Sequence, residues 1–322
     1  MLIDIIGCES LGVRGLCCSV ETPGRRFLID PGVALGYRRA GRLPHPLQVA
    51  VGERVRNKII SLWSKATDIV ISHYHGDHVP LPDANPFQLA LEAVFKRNSE
   101  AVVWTKSRSL SIKEQKRFFA LKEACPLEIR AADPSRRGVL EFSAPVPHGA
   151  AGWAKDTVIA TKIQSEKVFV HASDSQLLND SAVSLIVDWR PDIILVGGPP
   201  LYLNQVSNEN RRRAWENALI LAKTKAVLII DHHLLRSREG ERWLDRLSEA
   251  AGRPVLCGAD FMGGPRLLME ADRKKLYREM PVPDGWHADY SHGRVRTDGF
   301  WEKGLELGWV SQAQETNTDI LS

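Results

Sequence analysis

The sequence is poor in the features that most quickly place a protein. Its five cysteines, Cys8, Cys17, Cys18, Cys125 and Cys257, are odd in number and form no C-x-x-C pair. That argues against a disulfide framework and against a cysteine zinc knuckle. No apolar run approaches the ~20 residues needed to span a bilayer, so no membrane partner is expected. The opening MLIDIIGCESLG carries acids at Asp4 and Glu9 and no basic stretch, unlike a secretory signal; a reducing cytoplasm is the expected compartment. Net charge is only +4. Arg25-Arg26, Arg38-Arg39, Arg136-Arg137 and Arg211–Arg213 are scattered along the chain, where a duplex-binding protein gathers its cations into a stripe. The nine tryptophans are dispersed too, so they define no stacking platform for single strands. There is no internal repeat and no low-complexity block.

What remains is an ordinary globular composition, 43% hydrophobic and 25% charged over 322 residues, enough for one large α/β unit with an extension. Strands are expected at Met1–Ile6 and, across the turn at Pro23-Gly24, at Leu16–Glu21 and Arg26–Ile29. Further strands are expected at TDIVIS, Leu127–Ile129, Leu140–Ser143, Thr157–Ile163, Val168–His171, Asp192–Val196, Ala226–Ile230 and Val255–Cys257. Helical spacing marks Val51–Trp63, Phe87–Arg97, Asn208–Lys223, Glu241–Ala251 and Pro265–Glu279, and Ser111 with Glu114 has the spacing of a capping box. The stretch after Pro281 reads as a polar tail, poorly ordered at its end.

One segment stands apart. In SHYHGDH three of the ten histidines fall within six positions, around Gly76 and Asp77. Side chains alternate along an extended chain, so His73, His75 and Asp77 share a face if the strand continues, while Gly76 lets His78 turn elsewhere. Two imidazoles on one face grip one cation, and Asp77 with His78 can help to hold a second. The ligands follow a buried apolar strand and emerge at its carboxyl end, where open α/β sheets place their sites. Imidazole and carboxylate suit zinc, manganese and iron alike.

The H-x-H-x-D-H pattern resembles that of the metallo-β-lactamase superfamily. Further segments fit the resemblance in order: Asp30 in LIDPG, His148 in APVPHG, Asp174 in HASDS, and His232 and His233 in IIDHHLLR. With ESLGVRG, LPHP and VGGPPLYL, they look like a largely archaeal group of predicted metal-dependent hydrolases within that superfamily. The resemblance implies an α/β fold, a four-layer αβ/βα sandwich with a C-terminal helical extension. The catalytic domain would occupy 1–265, and a helix and polar tail 266–322. It implies two divalent metal ions, zinc first and manganese or iron next. One would be held by His73, His75 and His148, the other by Asp77, His78 and one of His232 and His233, with His232 preferred. Asp174 would bridge them, and Asp30 would orient ligands from behind.

The chemistry that follows is hydrolysis by a hydroxide bridging the two metals, its pKa lowered from about 16 towards 7. Asp77 would accept a proton as well as ligate, and His233 would face the mouth. Redox relatives place glutamate where His75 stands. A phosphodiester is the preferred substrate, so an anionic small molecule or a nucleic-acid fragment is the expected partner. The D-H variant at Asp77-His78 is common among the superfamily's nucleases, and Arg236 could hold a phosphate bidentately. No inserted domain like that of the RNA 3′-end-cleaving nucleases is recognisable. The alternatives are a small-molecule ester, lactone or thioester hydrolase, and a metal-binding scaffold without turnover. A homo-oligomer is compatible with all three. His45 and His171 read as structural or gating residues, Trp153 as a candidate pocket wall, and the GGPPLY segment as a turn near the site. Arg211–Arg213 opens a helix against its dipole.

Overall fold

The computed structural model describes residues 1–134, 136–150 and 156–312. Trp153 and the last ten residues of the expected tail lie outside the described residues.

The first sheet is laid down almost in chain order. Strands β1 (Leu2–Gly7), β2 (Cys17–Thr22) and β3 (Arg25–Ile29) form antiparallel pairs. After helix α1 (Pro46–Lys65), strands β4 (Asp68–Ile71), β5 (Val102–Thr105) and β6 (Glu128–Ala131) add in parallel, with α2 (Ile112–Ala124) between the last two.

The second sheet begins with β7 (Arg136–Arg137) and β8 (Leu140–Phe142). A short ribbon of β9 (Val146–Pro147) and β10 (Thr157–Val158) interrupts it. It resumes with β11 (Thr161–Gln164) and β12 (Val168–His171), then α3 (Asp180–Asp188), β13 (Ile193–Val196), α4 (Asn208–Ala222) and β14 (Val227–Ile230). Its strand order is β14-β13-β12-β11-β8-β7. Helices α5 (Arg238–Ala251), α6 (Gly258–Phe261), α7 (Arg273–Glu279), α8 (Trp286–Ser291) and α9 (Asp298–Glu306) complete the described chain.

Side-chain alternation builds the layers. Ile29 and Val70 of the first sheet meet Phe169, Leu195 and Ile229 of the second in one apolar cluster between the sheets. Their neighbours Leu28, Ile69 and Ile71 point the other way, onto Leu47, Ile59 and Trp63 of α1. Val170, Ile194, Val196 and Ile230 likewise turn outward, onto Ala218 and Leu221 of α4 and Leu244 and Leu247 of α5. Each such buried side chain contributes roughly 1.5–3 kcal/mol before entropy. Helix, sheet, sheet, helix: this is a four-layer αβ/βα sandwich, the architecture expected from the sequence resemblance.

Several expected elements take other forms. Phe87–Arg97 is not a helix. Phe87, Leu89 and Leu91 are buried, but backbone bonds from Leu81 N–H to Leu89 O and from Leu91 N–H to Leu81 O tie the segment alongside Leu81. Only a 3₁₀ turn at Leu91–Ala93 remains. Thr157–Ile163 divides into β10 and β11, which belong to different sheets. Val255–Cys257 is reduced to a single bridge between Leu256 and Ile229. Helix α1 begins at Pro46, because His45 caps it by accepting from Leu47 N–H.

The C-terminal segment departs most from its polar reading. Helix forms over Arg273–Glu279 rather than from Pro265, and α8 and α9 follow it. Trp286 and Trp301 are buried in the same cluster as Leu47 and Trp63 of α1, so their aromatic area holds the segment against the sandwich. No helix is long and apolar enough to cross a membrane among the described residues.

Candidate metal centre

Strand ends converge on one point. Asp30 follows β3, Ser72 and His73 follow β4, Ser173 and Asp174 follow β12, and His232 follows β14, all at the carboxyl edge of the two sheets. Three of these residues, Asp30 (φ 48°), Ser173 (φ 48°) and His232 (φ 51°), are non-glycine residues in the left-handed region. Such strain gathers at functional sites, where the surroundings must hold it in place. Gly32 has a sterically fixed role. A Cβ there would lie 2.2 Å from Val79 N and 2.4 Å from His78 C, so only glycine lets the chain after β3 pass behind the histidine loop.

The loop itself turns earlier than an extended reading requires. His78 N–H donates to His75 O at 2.9 Å, which takes Asp77 off the face shared by His73 and His75. Both histidines nonetheless look towards Asp174. His73 Nε2 lies 3.6 Å and His75 Nδ1 3.9 Å from Asp174 Oδ2. His148 Nε2 approaches the same oxygen at 2.8 Å, His233 Nε2 at 3.1 Å and His78 Nε2 at 3.6 Å. His232 Nε2 lies 3.3 Å from Asp174 Oδ1, 3.3 Å from His78 Nε2 and 3.6 Å from Asp77 Oδ2. Four groups of possible ligands result: His73/His75/His148/Asp174, Asp77/His78/His232, Asp174 with His232 and His233, and Asp30 with His73 and His78.

The chemistry of this cradle fits cations. Asp174, 1% exposed, sits among six imidazoles. Burial alone would raise its carboxyl, but His233, His232, His148 and His78 outweigh burial and hold it well below the usual range. His73 Nε2, Asp174 Oδ1 and His233 Nδ1 are buried without a hydrogen-bond partner. Unpaired buried polar atoms are costly, and a metal ion answers that cost.

Asp30 lies behind the ligands. Its carboxylate accepts from Ser72 N–H at 2.9 Å, Ser72 Oγ at 2.8 Å and Ser173 Oγ at 2.6 Å, and pairs with His78 Nδ1 at 3.0 Å. The other histidines have separate tasks. His45 Nε2 donates to Met280 O, and His171 Nε2 donates to Leu16 O, each at 2.8 Å.

Arg236 neither caps the next helix nor faces water. It is buried, with Nε on Glu9 Oε1 at 2.8 Å, Nη1 on Tyr202 OH at 3.3 Å and Nη2 on Asp77 Oδ2 at 3.2 Å. The triplet at 211–213 has a plain role: Arg211 pairs with Glu239 and Leu201 O, Arg212 with Glu216, and Arg213 with Glu209.

Sequence reasoning missed several residues that shape the site. Asp156 accepts from His75 Nε2 at 3.2 Å, and the Gln176 amide lies 3.3 Å from His148 Nδ1. Asp231 takes Ser10 N–H at 3.1 Å, His232 N–H at 2.6 Å and Gly258 N–H at 2.8 Å, joining the end of β14 to two distant loops. Its place beside His232 and the place of Ser72 beside His73 were signals of a kind. Asp156 and Glu9 carried none, since their partners are far away in the chain.

No protein-family model matches the sequence. Curated relatives do. The chain is 46% identical over 306 residues to the UPF0282 protein of Methanosarcina mazei, covering 93% of this chain and 99% of that one. The chain belongs to the UPF0282 family. Members from Thermococcus gammatolerans (33% identical over 303 residues, 86% of this chain and 95% of theirs) and Pyrococcus abyssi (34% over 290, 86% and 93%) are also similar. Among solved structures, this UPF0282 chain is similar to the isothiocyanate hydrolase from Delia radicum gut bacteria. That overlay has a TM-score of 0.49 at 15% identity and covers 80% of this chain and 95% of the other. The metallo-beta-lactamase fold protein YhfI from Bacillus subtilis overlays with a TM-score of 0.48 at 12% identity, covering 79% and 94%.

Proposed function

We propose that the protein is a metal-dependent hydrolase acting on a phosphodiester. The observation that carries this is Asp174, a buried carboxylate ringed by imidazoles whose inward nitrogens are 2.8–3.9 Å from its oxygens. His73, His75 and His148 would hold one cation and Asp77, His78 and His232 the other, with Asp174 shared. When bound, a pair of divalent cations supplies hydroxide at neutral pH and offsets charge on the substrate oxygen. Zinc suits the donor set, and manganese and iron accept it too.

The protein's own groups divide the remaining work. Asp30 fixes the His78 ring through Nδ1 and locks Ser72 and Ser173 to the same carboxylate. Asp77 is 17% exposed in its side chain, so it can take a proton from the substrate side. His233 lies on Asp174, buried rather than open at the mouth, with Nδ1 unpartnered, and it adds one more imidazole beside the shared carboxylate. Arg39 stacks 4.6 Å over the Tyr202 ring and donates to Arg236 O at 3.0 Å. It puts a half-buried cation next to the Arg236 segment, which favours an anionic substrate.

Metal content and turnover test the reading together. About two equivalents of metal per chain, lost in a His73→Ala, Asp174→Ala double variant, are expected, with hydrolysis of bis-p-nitrophenyl phosphate by the wild type alone. Turnover of a lactone or thioester in place of the phosphodiester would move the assignment to an ester hydrolase. Metal binding without turnover of any of these would leave a scaffold.

A further inference from the structure

The imidazoles around Asp174 are not held alike, and the difference bears on the two-cation reading on which this inference rests. A neutral imidazole has one N–H and one lone pair, and a metal-ligating histidine donates its other N–H to an acceptor. Three of the rings meet that requirement, and His148 can. His78 has Asp30 behind it at 3.0 Å and His75 has Asp156 at 3.2 Å. His73 Nδ1 lies 2.9 Å from Ser72 Oγ, whose own proton goes to Asp30. His148 Nδ1 faces the Gln176 amide at 3.3 Å, and the Gln176 oxygen has no other partner. With a cation in place, that amide turned oxygen-first would accept the ring proton, leaving the lone pair of each of the four for the metal.

His232 is held differently. Gly15 N–H donates to its Nδ1 at 3.3 Å, and a backbone N–H can only donate. No acceptor therefore fixes the ring proton behind His232 as one does behind the other rings. A second observation sets this half apart. Arg236 Nη2 stands 2.9 Å from His232 Nε2 and 3.2 Å from Asp77 Oδ2, while Glu9 and Tyr202 anchor the rest of the guanidinium. A fixed cation thus already sits on two of the three side chains that make up this half of the centre.

We propose that the two halves bind divalent cations unequally. The half built on His73, His75 and His148 is tight, the half built on Asp77, His78 and His232 is weak, and Arg236 is the positioning residue that sets the difference. A cation entering the weak half must displace the guanidinium both from Asp77 and from His232 Nε2. A buried like charge at such range weakens a divalent ion by at least about tenfold, even at an effective dielectric near 20.

Calorimetric titration of metal-stripped protein with zinc, in competition with a chelator of known affinity, reads both equivalents without recourse to activity. In the wild type the second equivalent is expected to bind at least about tenfold more weakly than the first. Arg236→Gln is expected to leave the first unchanged and tighten the second, while Arg236→Lys, which keeps the charge, preserves the gap. Because Arg236→Gln strips Glu9 of its nearest partner and leaves only the more distant Arg14, the Glu9→Gln, Arg236→Gln double variant is measured beside it, with circular dichroism to check folding. Equal affinities in the wild type, or an unchanged second equivalent in both neutralised variants, overturns the proposal. If neither variant folds, the wild-type titration decides it. No zinc bound by the wild type at all is a different result, and it rejects the metal centre itself.

Discussion

Asp156 illustrates how much a single carboxylate outside the ligand set can control. It lies on the far nitrogen of His75, and the imidazole proton, as the leading cause, holds its own carboxyl below the ordinary range. Its side chain is 29% exposed, so removing it leaves no buried hole. Asp156→Ala is therefore expected to lower metal affinity by about 10–100-fold, the usual cost of losing such a partner, with little change in melting temperature. Metal competition with a chromogenic chelator, set beside a thermal melt, checks both halves of the statement. A drop in stability with unaltered affinity would make Asp156 a structural residue. His73–His78 was legible in the sequence because residue types and spacing are themselves the signal, and Asp174 was legible only through the resemblance that places it after them. Asp156 was not, because its partner His75 lies 81 positions away.

At the scale of elements, α1 carries a pH dependence. His45 caps it through Nδ1, which accepts from Leu47 N–H, while Nε2 donates to Met280 O. Only the neutral ring can do both. Burial pushes this imidazole down from 6.5 to about 4, against the pull of the Met280 carbonyl. The unfolded chain thus binds a proton that the folded one refuses. The contribution is fully present above about pH 6.5 and lost as pH falls towards 4, on the order of 3 kcal/mol in all. Denaturant titrations at pH 7.5 and pH 5 should show the wild type losing more stability than His45→Asn, which keeps an N-cap without a titrating ring. Equal losses would place the acid sensitivity elsewhere. The elements that sequence periodicity identified best, such as α4, α5 and the buried strands, are those whose spacing matches the surface they meet. The Phe87–Arg97 segment misled because its apolar residues are buried by pairing along Leu81, which leaves no trace in local spacing.

The whole molecule depends on a segment that reads as surface chain. Trp301 is 3% exposed, with the Arg54 guanidinium 3.4 Å from its ring centroid, and Leu47 of α1 would touch a Cβ placed on neighbouring Gly304. Trp301→Ala is expected to cost about 3–5 kcal/mol of global stability with metal stoichiometry unaltered, measured by chemical denaturation and by metal analysis of the folded variant. A change under about 1 kcal/mol would mean that α9 is peripheral. Composition hid this part of the fold because short amphipathic helices rich in Lys, Arg, Asp and Glu resemble a solvated tail, and what commits them is a few aromatic anchors.

The convergence of strand ends on one point also has a consequence in time. His78 and His232, whose rings nearly touch in the finished protein, are 154 positions apart. At about 5–20 residues per second, a ribosome needs ~8–30 s to cover that distance. The first sheet is complete in sequence by Ala131, yet Leu195 and Ile229, which help to cover its inner residues Ile29 and Val70, come only late in the second sheet. Three histidines wait beside it with half a binding site. Closure of the site, which ties Asp231 to Ser10, therefore waits on the last strand of the second sheet.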